Sequence, residues 1–197
     1  MTKPTIFLDK DGTLIENLPY NVDPDRIRWS PGIFESLRAL YAAGFQFVII
    51  TNQSGIARGY FCEDDLDRLA EAMANVLQMQ AGVPLAGFYY CPHHPAGMIE
   101  KYALRCECRK PKPGMILQAA SDLGIDLCQA WMVGDVLDDI EAGNTAGCRT
   151  ILVDNGNETC WDLTGNRQPD FIVVVMREAA NAILRGISVR KAHLSQC

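Results

Sequence analysis

Two aspartates, Asp9 and Asp11, stand directly after a short apolar run in the segment FLDKDGT, with a glycine and a threonine behind them. Like charges this close repel, and their placement asks for a cation. A hard divalent ion such as Mg²⁺ takes oxygen ligands and commonly bridges carboxylates to a substrate phosphate. Two further polar clusters share the pattern: TNQSG from Thr51 and GDVLDD from Gly134 also follow apolar runs. A single aspartate after a strand is more often a solvated loop acid than a ligand. Asp9 departs from that expectation because DKDGT joins two acids, a turn glycine and a hydroxyl in a few residues.

A second constellation is soft rather than hard. CPHH at Cys91–His94 and CEC at Cys106–Cys108 give two tight pairs of metal-ligand types separated by a loop. Cys91, Cys106, Cys108 and one of His93 or His94 would make a closed Cys₃His site, which suits structural Zn²⁺ and leaves no position open for water. The competing reading, free thiols beside surface histidines, has to treat two such pairs as chance. The spacings are shorter than the C-x₂-C of a nucleic-acid finger. Cys62, Cys128, Cys148, Cys160 and Cys197 lack such partners and read as ordinary thiols, and His193 as a solvated residue.

The length of 197 residues suits one domain with its own core. A formal net charge of −6 argues against a general binder of nucleic acid or anionic membranes, which work through surplus Lys and Arg. The start MTKPTIFLDK has no apolar signal segment, and no run of about 18 apolar residues occurs anywhere. The expected setting is the cytoplasm, where eight cysteines read as metal ligands and thiols rather than a disulfide framework. A monomer acting on a small molecule is expected.

The elements that must position these residues follow from periodicity. β-Branched and aromatic runs predict strands at Thr5–Leu8, Phe45–Thr51, Gly87–Cys91, Ala130–Gly134, Arg149–Val153 and Phe171–Val175. Helical segments fall between them. SPGIFESLRALYAAG offers Ser30 as N-cap, Pro31 at the first helical position and Gly44 as the stop. EDDLDRLAEAMANVLQMQAG, KPGMILQAASDLG and VLDDIEAGNTAG carry similar signals. Alternating strands and helices predict an α/β domain with a mostly parallel sheet and helices on both faces, over residues 1–185, with a partly disordered tail at 186–197. In such sheets ligands bind beyond the carboxyl ends of the strands, where the three polar clusters would converge.

Taken in order, DKDGT, TNQSG, RKPKP and VGDVLDD resemble the four motifs of haloacid dehalogenase (HAD) superfamily phosphatases, over about residues 5–155. The resemblance implies a Rossmann-like fold, with Asp9 as the nucleophile that becomes an aspartyl phosphate and Asp11 as general acid, then base. It implies Mg²⁺ held by Asp9, the main-chain carbonyl of Asp11, and Asp135, with Asp139 supporting that shell. Thr51 and Lys110 match the residues that stabilise the transferring phosphoryl group. The segments between motifs are too short for a separate cap domain.

The loop at 91–109 before RKP further resembles a zinc-containing branch that holds heptose 1,7-bisphosphate phosphatases and histidinol-phosphate phosphatases. In that branch the Zn²⁺ ligands match Cys91, His93, Cys106 and Cys108, with His94 left over. TNQSGIARGYF and YYCPHHP look like the heptose enzymes. That pattern implies release of a C7 phosphate in nucleotide-activated heptose biosynthesis. Its substrate contacts would be Asn17, Leu18, Pro19 and Tyr20, then Asn52, Gln53, Ser54 and Arg109. Val136 departs from it, since some heptose enzymes carry a basic residue there. A histidinol-phosphate or other sugar-phosphate phosphatase is the alternative. A non-enzymatic zinc-stabilised binding module would leave Asp9, Asp11, Thr51, Lys110 and Asp135 as coincidence.

Overall fold

The structure, a computed structural model, describes residues 2–194, with side chains as far as 186. The expectations for His193 and Cys197 lie outside what is described. Six strands form one sheet: β1 Thr5–Leu8, β2 Gln46–Asn52, β3 Leu85–Cys91, β4 Trp131–Gly134, β5 Arg149–Val153 and β6 Phe171–Val173. Five α-helices accompany them: α1 Ile33–Ala42, α2 Glu63–Ala81, α3 Gly114–Leu123, α4 Leu137–Ala146 and α5 Met176–Leu194. All strand pairs are parallel, in the order β3-β2-β1-β4-β5-β6.

The four central strands, β2, β1, β4 and β5, are buried on both faces, which is why they read as nearly continuous apolar runs, whereas the edge strands β3 and β6 are half-buried or exposed. Along β1, Ile6 and Leu8 join a core with Leu37 and Leu40 of α1, Leu69 and Met73 of α2, and Ile183 of α5. Phe7 points the other way, into a core with Met115 and Ile116 of α3 and Ala142 of α4. Each fully buried Leu or Phe is worth about 1.5–3 kcal/mol relative to exposure. The two layers therefore hold β1 and β4 rigidly at the centre.

Two elements differ from the sequence expectation. Helix α1 begins at Ile33, capped by Gly32 in a left-handed conformation (φ 72°), rather than at Pro31 behind a Ser30 cap. Ser30 is engaged elsewhere: its N–H donates to the Leu14 carbonyl at 3.0 Å, and Trp29 pairs with Ile15, so the chain stays extended through this point. The last helix, α5, runs on past residue 185, into the segment read as tail. Its described part buries Met176, Ala179, Ala180 and Ile183, at helical spacing.

The crossovers from β1 and from β4 leave toward opposite edges of the sheet. A crevice opens between the carboxyl ends of these neighbours, as at every such reversal of strand order. The Asp9 N–H donates to the Val133 carbonyl at 3.0 Å and ties the loop after β1 to β4. No helix among the described residues is long and apolar enough to cross a membrane.

Candidate active site

Asp9, immediately after β1, and Asp135 and Asp139, at the start of α4 after β4, bring one carboxylate oxygen each within 4.8 Å of one another. All three are buried. Lys110 enters from the loop before α3, and its ammonium lies 2.5 Å from Asp9 Oδ1, 2.6 Å from Asp139 Oδ1 and 3.0 Å from the Ile50 carbonyl. Three carboxylates against one ammonium leave an excess of negative charge away from water. Burial first, then Asp139 and Asp11, push the Asp9 carboxyl up to about 7 against the pull of Lys110. Burial and Asp9 push Asp135 up to about 6. Burial works against the Lys110 ammonium, but Asp139 and Asp9 outweigh it and hold its pKa above the ordinary value. Such a set is stable in its charged form only with another cation, and all-oxygen donors fit Mg²⁺.

The approach of these groups depends on two glycines. Gly12 has φ 92°, and a Cβ there would stand 2.0 Å from Asp135 Oδ2. At Gly134 a Cβ would stand 2.2 Å from Asp139 Oδ2. Asp135 is oriented by Thr13, whose hydroxyl donates to Oδ1 at 3.2 Å, and by Asn157, whose amide donates to Oδ2 at 2.6 Å. Asn155 donates to the Gly12 carbonyl at 2.6 Å. The sequence reading missed Thr13, Asn155 and Asn157 in these roles. The signal for the two asparagines was their position: DNGNE directly follows β5 at the same sheet edge.

Asp11 turns away from the three buried acids. Its carboxylate accepts from Lys10 Nζ at 2.7 Å and from Gln53 Nε2 at 3.0 Å. Lys10, also missed, is almost wholly buried for the sake of this contact. Thr51, at the end of β2, has no exposed surface, and its hydroxyl accepts from Gln53 Nε2 at 2.8 Å, leaving its own hydrogen for another acceptor. Both ends of the Asn52 amide are taken by the main chain of Lys110, at 3.1 Å to its N–H and 3.2 Å to its carbonyl. Asn52 therefore fixes the lysine loop.

The remaining expected contacts lie around the crevice. Asn17, Pro19 and Tyr20 are exposed and Leu18 half-buried, in the loop after β1; Asn17 lines a cleft shared with Gly12, Thr13 and Asn157. Tyr20, in a left-handed conformation (φ 57°), meets Tyr60 edge-on, with ring centroids 4.7 Å apart. Ser54 is half-buried, and its carbonyl accepts the Arg58 N–H at 3.1 Å. Arg109 and Lys110 line one cleft of about 510 Å³ with His94. Val136 caps α4, its N–H donating to Asp139 Oδ2 at 3.3 Å.

The soft constellation also assembles. Ligand atoms of Cys91, His93, Cys106 and Cys108 lie within 4.8 Å of one another. The three sulfurs are 3.1–3.5 Å apart, and His93 Nδ1 is 3.3 Å from Cys108 Sγ. Zn–S bonds of about 2.3 Å in a tetrahedron put sulfurs about 3.8 Å apart, so Zn²⁺ fits with a small outward movement. Hydrogen bonding from Cys91 leads the effects that hold the Cys108 thiol down at about 5, while the Cys91 thiol is raised. His94 stays outside the cluster, with its Nδ1 accepting the Ala96 N–H.

Comparison with known proteins agrees with this geometry. A family model described as HAD-hydrolase-like matches residues 107–179. The D-glycero-beta-D-manno-heptose-1,7-bisphosphate 7-phosphatase of Haemophilus ducreyi is 44% identical over 88% of this chain and 94% of its own. Its namesake in Escherichia coli K12 is also 44% identical, over 78% of this chain and 80% of its own. The crystal structure of D,D-heptose 1,7-bisphosphate phosphatase from B. bronchiseptica, complexed with magnesium and phosphate, superposes with a TM-score of 0.75. It is 30% identical and covers 94% of this chain and 99% of that one. With strand order, buried acids and sequence likeness in agreement, the chain belongs to the HAD superfamily of hydrolases and, within it, to the heptose 1,7-bisphosphate 7-phosphatase family.

Proposed function

We propose that this enzyme hydrolyses the C7 phosphate ester of D-glycero-D-manno-heptose 1,7-bisphosphate through an aspartyl phosphate on Asp9. The observation that carries the chemistry is the clustering of Asp9, Asp135 and Asp139 at the sheet's reversal point, with one ammonium paired to Asp9 and Asp139. The choice of substrate rests on the names of the relatives. Asp9, the Asp11 carbonyl and Asp135 would hold Mg²⁺, with Asp139 and Lys110 behind them. When bound, the ion would offset the charge of the acids and of the phosphate dianion.

Asp9 attacks phosphorus, the P–O7 bond breaks, and its electron pair goes to the sugar oxygen, which takes the proton of Asp11. Lys110 and the Thr51 hydroxyl stabilise the equatorial oxygens, where charge is held through the transition state. Asp11, now a carboxylate, accepts a proton from water as that water attacks the aspartyl phosphate. The P–O bond to Asp9 breaks, Asp9 is regenerated and orthophosphate leaves. Asp11 lies apart from the three clustered acids, held on Lys10 and Gln53. Asn17–Tyr20, Ser54 and Arg109 bear on the sugar end, whereas Asn52 and Gln53 act by holding Lys110, Thr51 and Asp11. Zn²⁺ on Cys91, His93, Cys106 and Cys108 would be structural.

A phosphate-release assay over heptose 1,7-bisphosphate, histidinol phosphate and p-nitrophenyl phosphate tests the reading. The bisphosphate should have the highest kcat/KM, and only with Mg²⁺. Faster turnover of histidinol phosphate would overturn the heptose assignment while leaving a phosphatase.

A further inference from the structure

Among the described residues, the buried charged side chains are Asp9, Lys10, Lys110, Asp135 and Asp139, and of these Lys10 alone stands outside the carboxylate cluster and its ammonium. A lysine ordinarily buries its stem and leaves its head in water. Here the whole side chain is 1% exposed, and Nζ donates to Asp11 Oδ1 at 2.7 Å. Taking an ammonium out of water is costly, and an apolar residue would fill the same space without that cost. What the lysine adds is a donor and a charge, and both fall on Asp11.

Lys10 is itself held. Its carbonyl accepts the N–H groups of Leu14 and Ile15, both at 3.1 Å, and the Gly12 N–H donates to the Ile15 carbonyl at 2.8 Å, which closes the turn. At the other carboxylate oxygen, Gln53 Nε2 donates to Asp11 Oδ2 at 3.0 Å and also to Thr51 Oγ1 at 2.8 Å. Each Asp11 oxygen therefore has its own donor, and the two donors come from different parts of the fold. The torsion that turns a carboxylate about its Cβ–Cγ bond has only a broad preference. One donor leaves the group free to swing, whereas two donors on separate oxygens fix its plane. A carboxylate has about four lone-pair sites, so each oxygen keeps room for a proton, and 28% of the Asp11 side chain remains exposed.

We propose that Lys10 is a positioning residue: it fixes the Asp11 carboxyl in the orientation from which the leaving oxygen is protonated. This rests on the reading of Asp11 as the general acid. The role gives Lys10 a selective effect. A sugar alkoxide leaves only if it is protonated as the P–O bond breaks, whereas nitrophenolate departs as a stable anion and needs no proton. Gln53 differs in this respect, because its one amide nitrogen serves both Asp11 and Thr51, so its loss should bear on every ester.

The test compares kcat/KM, which reports the steps through formation of the aspartyl phosphate, for heptose 1,7-bisphosphate and p-nitrophenyl phosphate. In Lys10→Met the ratio of sugar to aryl ester should fall by about 10–100-fold, part of the loss that removal of a general acid brings, and Lys10→Arg should restore some of it. Should Lys10→Met not fold, Lys10→Gln, which lacks the charge and the reach, carries the same comparison. Placed in Asp11→Asn, the Lys10 substitution should lower the ratio no further, since a residue that acts through Asp11 has nothing left to act on. Equal losses on both esters, or a further fall in the Asp11→Asn background, overturn the positioning role. An unchanged ratio in Lys10→Met beside a collapsed one in Asp11→Asn removes Lys10 alone. An unchanged ratio in Asp11→Asn itself overturns the acid assignment and the proposal with it.

Discussion

The carboxylate cluster and the thiol cluster sit at two ends of one short segment, Cys106–Lys110, yet they are built in opposite ways. Asp9, Asp135 and Asp139 meet only because β1 and β4 are neighbours, and their mutual repulsion works against the fold that gathers them. Cys91, His93, Cys106 and Cys108 lie within a single loop and the end of β3. The first site depends on the fold for its geometry, and the second supplies geometry to its part of the fold. Because Cys108 lies two residues before Lys110, the second also steadies the counter-charge of the first.

The largest effect that would break this contrast lies in the carboxylates. Asp9→Asn should lower kcat by at least about 10³-fold with little loss of thermal stability, because an amide cannot form an acyl phosphate and repulsion is relieved. A large loss of stability in a calorimetric scan would mean that the site is structural. Chelation of Mg²⁺ should likewise silence turnover and spare the fold.

The thiol cluster should answer in the reverse order. Cys108→Ser should reduce bound zinc from about one per chain toward zero and cost several kcal/mol of stability, seen as a Tm lower by about 5–10 °C. Its fall in kcat/KM should follow from loosened Arg109 and Lys110. Metal analysis showing no zinc in carefully prepared wild-type protein with an ordered loop would sink the distinction.

Smaller changes sharpen how the acids are held. Gly12→Ala should weaken Mg²⁺ binding by about 10–100-fold in titration calorimetry, since a Cβ at φ 92° would displace the Asp135 carboxylate. Asn52→Ala removes two hydrogen bonds to the main chain of Lys110. It should cost about 1–2 kcal/mol in kcat/KM, roughly 5–30-fold, to a similar extent on every substrate. A loss confined to the heptose would return Asn52 to direct substrate contact.

How much of this was legible in sequence divides along the same line. Residues that announce themselves by spacing, such as Asp9 with Asp11 or Cys106 with Cys108, could be read before any fold was known. So could the central strands, whose burial on both faces writes itself as apolar runs. Lys10, Asn155 and Asn157 could not, because an unremarkable lysine or asparagine gains its role only from what the sheet brings beside it. The Ser30 cap failed for a related reason: good local capping chemistry was overridden by a long-range tie to Leu14. Arg58 sits in a turn where nothing in its neighbours signals that His94 lies 36 residues away in sequence and 3.5 Å away in space.

The central claim is that Asp9 carries the phosphoryl group. Rapid acid quench during turnover of heptose 1,7-bisphosphate with Mg²⁺, followed by peptide mass spectrometry, tests it directly. The account predicts a phosphoryl adduct on the peptide containing Asp9, more abundant in Asp11→Asn, where the water that should release it lacks a base, and absent in Asp9→Asn. Phosphate release at the wild-type rate by Asp9→Asn, with no adduct on any aspartate, would contradict it.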